Sequence, residues 1–186
     1  MADTFSPFTG AVLLCIDMQP AFLNAVVDGD RLLKRCSFAV EAAKGFGIPV
    51  AFTEQAPQKL GGTSPDLLAL ASKPALYAKN TFSALSDDGI RDAIRTRDCE
   101  HLILCGLETS ICVYQTALDA LDMNLQVTIL SDAVGARRSD DAAVCLDALV
   151  RNSVYVLPSE TVFYSLLQDT KHPFFKGFTQ LVKKYA

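Results

Sequence analysis

Residues 101–121 read HLILCGLETSICVYQTALDAL, and this stretch decides the fold class. Residues 101–105 are strongly apolar and of strand length, Gly106 ends the run, and residues 109–121 have the apolar spacing of a helix. A strand without polar alternation is typical of a parallel sheet that helices cover on both faces. The stretch therefore predicts one strand–helix unit of an α/β protein.

The same alternation of apolar strands and amphipathic helices extends in both directions from this unit. Further strands are predicted at residues 11–16, 50–53, 76–78, 125–130 and 154–157. Further helices are predicted at residues 30–45, 86–96, 139–151, 159–167 and 173–185, with a short helix from Pro65. This pattern predicts a doubly wound, three-layer α/β/α fold in a single domain over residues 1–186.

The composition excludes several classes of function. Of the 186 residues, 50% are hydrophobic and 20% are charged, so the chain can bury a large core and is not a disordered protein. The formal net charge is -4 and no basic stripe is present, which argues against a nucleic-acid partner. The apolar runs are much shorter than the roughly 20 residues that a membrane span needs, so we expect no membrane partner.

The cysteines and the N-terminus predict a cytoplasmic protein without a metal site. The six cysteines are scattered with no CxxC pair, and the chain has only two histidines. Free thiols are typical of a reducing compartment. Residues 1–4, MADT, contain an acid, and the N-terminus has no apolar core of the kind found in a signal peptide.

Three side chains with catalytic chemistry follow three of the predicted strands. Asp17 ends the first strand, Lys79 follows residues 76–78, and Cys112 lies in the first turn of the helix after residues 101–105. Ligands of doubly wound sheets bind at the carboxyl ends of the strands. We therefore expect these three side chains to share one cleft.

Cys112 is the candidate nucleophile of this cleft. The start of a helix favours a thiolate, and the Lys79 ammonium would lower the pKa of the thiol further. Asp17 is the candidate base that takes the thiol proton and returns it to a leaving group. Each residue also has an ordinary alternative, namely a core thiol, a surface lysine and a carboxylate that ends a buried strand.

Several residues near the three are candidates to form a substrate pocket. Phe22 and Phe82 are candidates for its apolar wall, and Gln19 for a hydrogen bond to the substrate. The alternatives are core aromatics and a capping or loop role for Gln19. The Gly- and Pro-rich residues 54–63 are predicted to be a loop that is either a lid or a plain connection, and His101 is predicted to lie on the surface.

Three motifs together resemble the isochorismatase-like cysteine hydrolase family. They are CIDMQ at residues 15–19, KNTFS at 79–83 and GLETSICV at 106–113, and the similarity extends from about residue 11 to about residue 167. Two further stretches resemble the isochorismatase domain-containing branch, with TEQ at 53–55 followed by LGGT at 60–63, and PSETV at 158–162. The resemblance implies a six-stranded parallel sheet with a Rossmann-like strand order.

The resemblance also implies the site and the reaction. It implies a catalytic triad of Asp17, Lys79 and Cys112, a cis peptide bond between Leu107 and Glu108, and an oxyanion hole formed by the backbone N–H groups of Glu108 and Cys112. The implied activity is a metal-independent hydrolase without a cofactor. It would cleave a C–N bond of a small amide-like substrate through a thioester, in a homo-oligomer.

Two departures from other branches and two alternative functions bear on this interpretation. Residues 53–58 lack the histidine of the metal-binding nicotinamidase branch, whereas Cys112 stands where isochorismatase proper has no cysteine. The alternative functions are a thiol-redox protein that uses Cys112 and a catalytically silent binding or assembly protein. A nucleotide-binding Rossmann protein is disfavoured because no GxGxxG motif follows the first strand.

Overall fold

A six-stranded parallel sheet forms the centre of the computed structural model, which describes residues 10–186. The strands are β1 (Ala11–Ile16), β2 (Val50–Gln55), β3 (Ala75–Lys79), β4 (His101–Leu107), β5 (Gln126–Gly135) and β6 (Tyr155–Leu157). Their order across the sheet is β3-β2-β1-β4-β5-β6, and every neighbouring pair is parallel. This is the doubly wound Rossmann order, so the predicted fold class is confirmed.

The connections between the strands are mostly helical. The helices are α1 (Pro20–Leu23), α2 (Gly29–Gly45), α3 (Pro57–Leu60), α4 (Pro65–Leu68), α5 (Asp88–Arg95), α6 (Tyr114–Asp122), α7 (Ser139–Arg151), α8 (Ser159–Leu167) and α9 (Phe175–Tyr185). A π-helical turn, Thr109–Val113, precedes α6. None of the helices within residues 10–186 combines the length and the apolar character that a bilayer crossing requires.

The apolar core lies in two layers, one on each face of the sheet. Helices α2, α8 and α9 pack on the face that carries Leu13 and Cys15, whereas α5, α6 and α7 pack on the face that carries Val12 and Leu14. Every residue of β1 is buried because successive side chains enter opposite layers. This double coverage explains why the strands read as continuous apolar runs.

Some local features differ from those expected from the sequence. Strand β2 continues to Gln55, and the predicted loop after it contains α3. Helix α5 begins at Asp88 instead of the predicted residue 86, and Asp87 caps it, because its Oδ1 accepts a hydrogen bond from the Ile90 N–H at 3.1 Å. His101 is buried rather than on the surface, and its Nε2 lies 2.8 Å from Thr128 Oγ1 on the neighbouring β5.

Gly106 allows the two central strands, β1 and β4, to approach each other closely. Its φ is +107°, a conformation that residues with a side chain rarely adopt, and a Cβ there would overlap the carbonyl oxygen of Ile16. Gly106 lies directly before the Leu107–Glu108 peptide, and its register partner on β1 is Ile16. A side chain at this position would therefore push apart the strands that carry the site.

We expect Gly106→Ala to lower the free energy of unfolding by at least about 3 kcal/mol, since backbone strain alone costs about 1–3 kcal/mol and the overlap adds to it. Gly47→Ala is the matched control, because Gly47 also has a positive φ, +72°, but has open space around its Cβ position. The control should lose only about 1–2 kcal/mol. Urea denaturation of the two variants checks this, and equal losses would contradict the role of close strand approach.

Candidate active site

Asp17, Lys79 and Cys112 meet at the carboxyl edge of the sheet. Asp17 follows β1, Lys79 is the last residue of β3, and Cys112 lies in the π-helical turn after β4. The Lys79 Nζ atom is 2.7 Å from Asp17 Oδ2 and 3.7 Å from Cys112 Sγ. All three residues are buried, so the structure brings together the side chains that the strand-end rule selected.

The Lys79 ammonium is held by acceptors from several parts of the chain. Besides Asp17, its Nζ donates to Gln55 Oε1 at 2.6 Å and lies 3.2 Å from the carbonyl oxygens of Thr81 and Phe82. A buried charge is costly unless it is paired and hydrogen-bonded. The four oxygens meet this requirement, and they fix the ammonium between the carboxylate and the sulfur.

The Asp17 carboxylate is oriented by the neighbouring strand β2. Its Oδ1 accepts a hydrogen bond of 2.7 Å from the Thr53 hydroxyl, while Oδ2 faces Lys79. The Asp17 backbone has a φ of +51°, and its N–H donates to the Thr53 carbonyl at 3.1 Å. Aspartate is among the residue types that adopt this left-handed conformation more readily than most. The turn at Asp17 thus directs the carboxylate into the site.

The Cys112 thiol has a raised pKa, whereas the sequence predicted a lowered one. Burial first, and then the charge of Asp17, raise the pKa of Cys112 to about 12, although the Lys79 ammonium and the Glu108 N–H lower it. The expected thiolate at a helix start is wrong because desolvation and the nearby carboxylate outweigh the ammonium. The resting site therefore holds a neutral thiol beside an Asp17–Lys79 ion pair.

The peptide bond between Leu107 and Glu108 is cis, as the family resemblance implied. The backbone N–H of Glu108 lies close enough to the Cys112 sulfur to lower the pKa of its thiol. The Glu108 carbonyl accepts hydrogen bonds from the N–H groups of Ile111 and Val113, at 3.0 and 3.1 Å.

A cavity of about 400 Å³ opens in front of Asp17 and Cys112. Its wall is mostly apolar, and Phe22 and Phe82 both line it, where the sequence predicted a substrate pocket. The full lining consists of Asp17, Ala21, Phe22, Ala25, Val26, Gln55, Leu60, Phe82, Leu107, Glu108, Ile111, Cys112 and Arg137. A cavity of this size and character suits a small, largely apolar ligand with a polar reactive group.

Gln19 is placed differently from the predicted substrate-binding position. It is fully buried behind the cavity wall, and its Nε2 donates to the carbonyl oxygens of Gln55, at 3.1 Å, and Gly61, at 2.6 Å. Its Oε1 accepts from the Gln55 N–H at 2.8 Å. Because the amide is occupied by backbone groups, Gln19 instead fixes the segment that carries Gln55 and Leu60 into the wall.

Three contributors to the site were not selected by the sequence reasoning. Thr53 holds Asp17, Gln55 binds Lys79 and lines the cavity, and Arg137 lies at the mouth of the cavity after β5. Gln55 is the last residue of β2 and Arg137 follows β5, whereas Thr53 lies within β2. The strand-end rule would have found Gln55 if β2 had been extended to its true end.

Three cysteines that are distant in sequence form a buried cluster away from the cavity. The sulfur atoms of Cys15, Cys36 and Cys105 lie within 4.8 Å of one another, close enough to share a metal ion. Burial raises the pKa of the Cys15 and Cys36 thiols, which favours the neutral form that packs as a small apolar group. Sequence spacing alone missed this cluster, because the sheet and α2 bring its members together.

Comparison with known proteins finds relatives over most of the chain. The isochorismatase domain model matches residues 11–161. Isochorismatase domain-containing protein 2 of Xenopus laevis is 34% identical over 95% of this chain and 85% of its own length.

Two solved structures share the fold over nearly the whole chain. The MAR1 ribonuclease of Caenorhabditis elegans superimposes with a TM-score of 0.88 at 28% identity, over 95% of this chain and 91% of its own. YcaC of Escherichia coli, described as an octameric hydrolase of unknown specificity, superimposes with a TM-score of 0.83 at 21% identity, over 95% of this chain and 93% of its own.

The raised pKa of Cys112 predicts how the thiol reacts with iodoacetamide. Because the thiolate is the reacting form, alkylation of the wild type should be slow at pH 8 and should rise continuously toward pH 10. Asp17→Asn removes a charge that raises the pKa of Cys112, so its rate at pH 8 should increase at least about tenfold, or one pKa unit. Lys79→Met removes a charge that lowers the pKa, so its rate should decrease.

Mass spectrometry resolved by site measures these rates, and Cys145 serves as the internal control. Cys145 is partly exposed and has neither Asp17 nor Lys79 among the groups that shift its pKa, so its rate should be the same in all three proteins. A wild-type rate for Cys112 that levels off near pH 7 would contradict a resting thiol.

Proposed function

The chain belongs to the isochorismatase family, and from this membership we propose that it is a metal-independent cysteine hydrolase that cleaves a C–N bond of a small amide-like substrate. The observation that carries the proposal is the buried contact of Lys79 Nζ with Asp17, at 2.7 Å, and with Cys112 Sγ, at 3.7 Å, beside an apolar cavity. A nucleophile, a base and a cation thereby share one small space.

The first half of the reaction forms a thioester. The Asp17 carboxylate accepts the thiol proton as the Cys112 sulfur attacks the carbonyl carbon, and Lys79 offsets the negative charge on the sulfur. The N–H groups of Glu108 and Cys112 stabilise the oxygen of the tetrahedral intermediate. When this intermediate collapses, the C–N bond breaks and Asp17 gives the proton to the leaving nitrogen, which departs as ammonia or an amine.

The second half hydrolyses the thioester. Water takes the place of the amine, Asp17 removes one of its protons, and the hydroxide adds to the thioester carbonyl. The C–S bond then breaks, the carboxylic acid leaves, and the proton on Asp17 returns to the Cys112 sulfur. The high pKa of the Cys112 thiol agrees with this order of steps, because it favours return of the proton to the sulfur at the end of each turnover.

The donor atoms around the cavity support a mechanism without a metal. Within residues 10–186, no histidine lines it. Its two carboxylates are already engaged, Asp17 with Lys79 at 2.7 Å and Glu108 with Arg137 at 3.0 Å. A divalent ion would have to displace one of these two cations from its partner.

The alternatives are less well supported. A redox role needs a second thiol near Cys112, but Cys15 and Cys105 pack in the core layer on the opposite face of the sheet. A ribonuclease activity like that named for the Caenorhabditis elegans relative needs a basic surface for several phosphates, whereas among residues 10–186 the cavity lining has a single cationic residue, Arg137.

The proposal also covers the cellular location, the partners and the oligomeric state. We propose a cytoplasmic protein with a small-molecule substrate, no nucleic-acid or membrane partner, and a homo-oligomeric state like that stated for YcaC. Exposed apolar side chains support self-association: in α7, Val144 is 68% exposed and Val150 is also exposed, and Tyr155 is exposed on the adjoining strand β6. A second copy of the chain would cover them.

Sedimentation velocity tests the assembly. We expect the wild type to sediment as an oligomer at micromolar concentration and the double variant Val144→Asp/Val150→Asp to shift toward the monomer, because burying two carboxylates in an interface is unfavourable. Circular dichroism of the variant should be unchanged, since both positions are exposed. A monomeric wild type would contradict this part of the proposal.

A panel of small amides and ureides tests the reaction. We expect Cys112→Ala to abolish hydrolysis of any substrate that the wild type turns over, and Asp17→Asn and Lys79→Ala to reduce kcat by at least about 10³-fold, because the members of a catalytic triad act as a unit. Mass spectrometry of the wild type under turnover should detect an acyl group on Cys112. A short RNA oligonucleotide in the same panel should remain intact.

The control for this experiment is Cys145→Ala, which removes a partly exposed thiol outside the cavity lining. It should retain wild-type turnover. Near-normal turnover by Lys79→Ala would contradict the role given to the ammonium, and a disulfide at Cys112 in place of an acyl adduct would favour redox chemistry.

A further inference from the structure

Arg137 is the cationic side chain at the mouth of the cavity. It lies just after β5, and its side chain lines the same cavity as the Cys112 sulfur. The side chain is 59% exposed, so it faces both the cavity and solvent. Lys79, the other cation of the site, is fully buried behind the carboxylate of Asp17 and does not line the cavity. Arg137 is therefore the positive charge that an entering ligand meets.

Glu108 holds the Arg137 guanidinium in a defined orientation. Its Oε2 accepts from Arg137 Nε at 3.0 Å, and its Oε1 accepts from the Arg137 backbone N–H, also at 3.0 Å. These contacts use the Nε side of the guanidinium. Among residues 10–186, no acceptor bonds to its two terminal nitrogens. Arg137 thus presents a fixed pair of free N–H donors at the mouth of the cavity.

The two free N–H donors of Arg137 match a carboxylate group on a ligand. Two parallel N–H donors on a planar cation bind a carboxylate through both of its oxygens. The remaining cavity wall is mostly apolar and offers no second cation to an anionic group. A ligand that fills the space would be polar at the end near Cys112, apolar in its middle and anionic at the end near Arg137.

On this basis we infer that the substrate is a small acid, in which Arg137 binds a carboxylate while the amide group of the same molecule lies at Cys112. The inference rests on the proposed hydrolase function and specifies its substrate class. Glu108 does not prevent such binding, because it occupies a different edge of the guanidinium. Arg137 is also partly exposed, so solvent screens the repulsion between the Glu108 carboxylate and the carboxylate of the ligand.

Matched substrate pairs test the inference. Short ω-amide carboxylic acids with chains of about two to five carbons are compared with their methyl esters, and kcat/KM is measured for each. The wild type should prefer the acid. Arg137→Gln should reduce the ratio of acid to ester kcat/KM by about 10- to 100-fold, the size expected for a lost hydrogen bond to a charged group, mainly through KM of the acid.

Arg138→Gln is the matched control. Arg138 is the next residue, is more exposed than Arg137, pairs with Asp141 and does not line the cavity. The Arg138→Gln variant removes the same overall charge as Arg137→Gln but changes no residue of the cavity lining, so it should leave the ratio of acid to ester kcat/KM unchanged. An equal drop for both substrates in Arg137→Gln would indicate a structural role, and an equal drop of the ratio in both variants would indicate general surface attraction. Either result overturns the inference.

Equilibrium binding separates this inference from the proposed function. The same acids are titrated into Cys112→Ala by calorimetry, with and without Arg137→Gln. Arg137-dependent binding of acids without any turnover by the wild type would contradict the hydrolase but retain the carboxylate site. Turnover of the neutral esters as fast as the acids, with no effect of Arg137→Gln on binding, would retain the hydrolase and refute the carboxylate site.

Discussion

The requirement to hydrogen-bond a buried ammonium organises the whole edge of the sheet. Lys79 extends from the outer strand β3 toward the centre of the sheet. Its charge is stable there because it is surrounded by oxygens of Asp17 just after β1, of β2 and of the segment after β3. The same charge lies 3.7 Å from the Cys112 sulfur. The contacts that make the lysine tolerable in the interior also align the carboxylate and the thiol.

The parts of this structure that depend on local pattern were predictable. Strand β1 and helices α7 and α8 have the predicted bounds, because apolar periodicity and turn residues are properties of the chain itself. Asp17, Lys79 and Cys112 were predictable as neighbours because a doubly wound sheet brings the carboxyl ends of its strands to one edge. The mouth residue Arg137 also follows a strand, but an arginine there has no distinctive motif.

The features that the sequence did not reveal depend on several groups acting together or on the direction in which a side chain points. The pKa of Cys112 reflects burial together with the charges of Asp17 and Lys79, so the helix start alone predicted the wrong direction. Gln19 was selected as a polar group near the site, but the sequence does not say on which side of the wall its amide lies. Strand pairing places the buried His101 beside Thr128, and the sheet together with α2 brings the three thiols together.

The contacts of Gln19 have a consequence for recognition. Because its amide hydrogen-bonds the backbone of Gln55 and Gly61, the shape of this side of the cavity is set before a ligand binds. A ligand then loses little affinity to the ordering of this wall, as in other pre-organised sites. A ligand that contacts this side has to fit a wall of fixed shape, so the size and the branching of the ligand determine whether it binds.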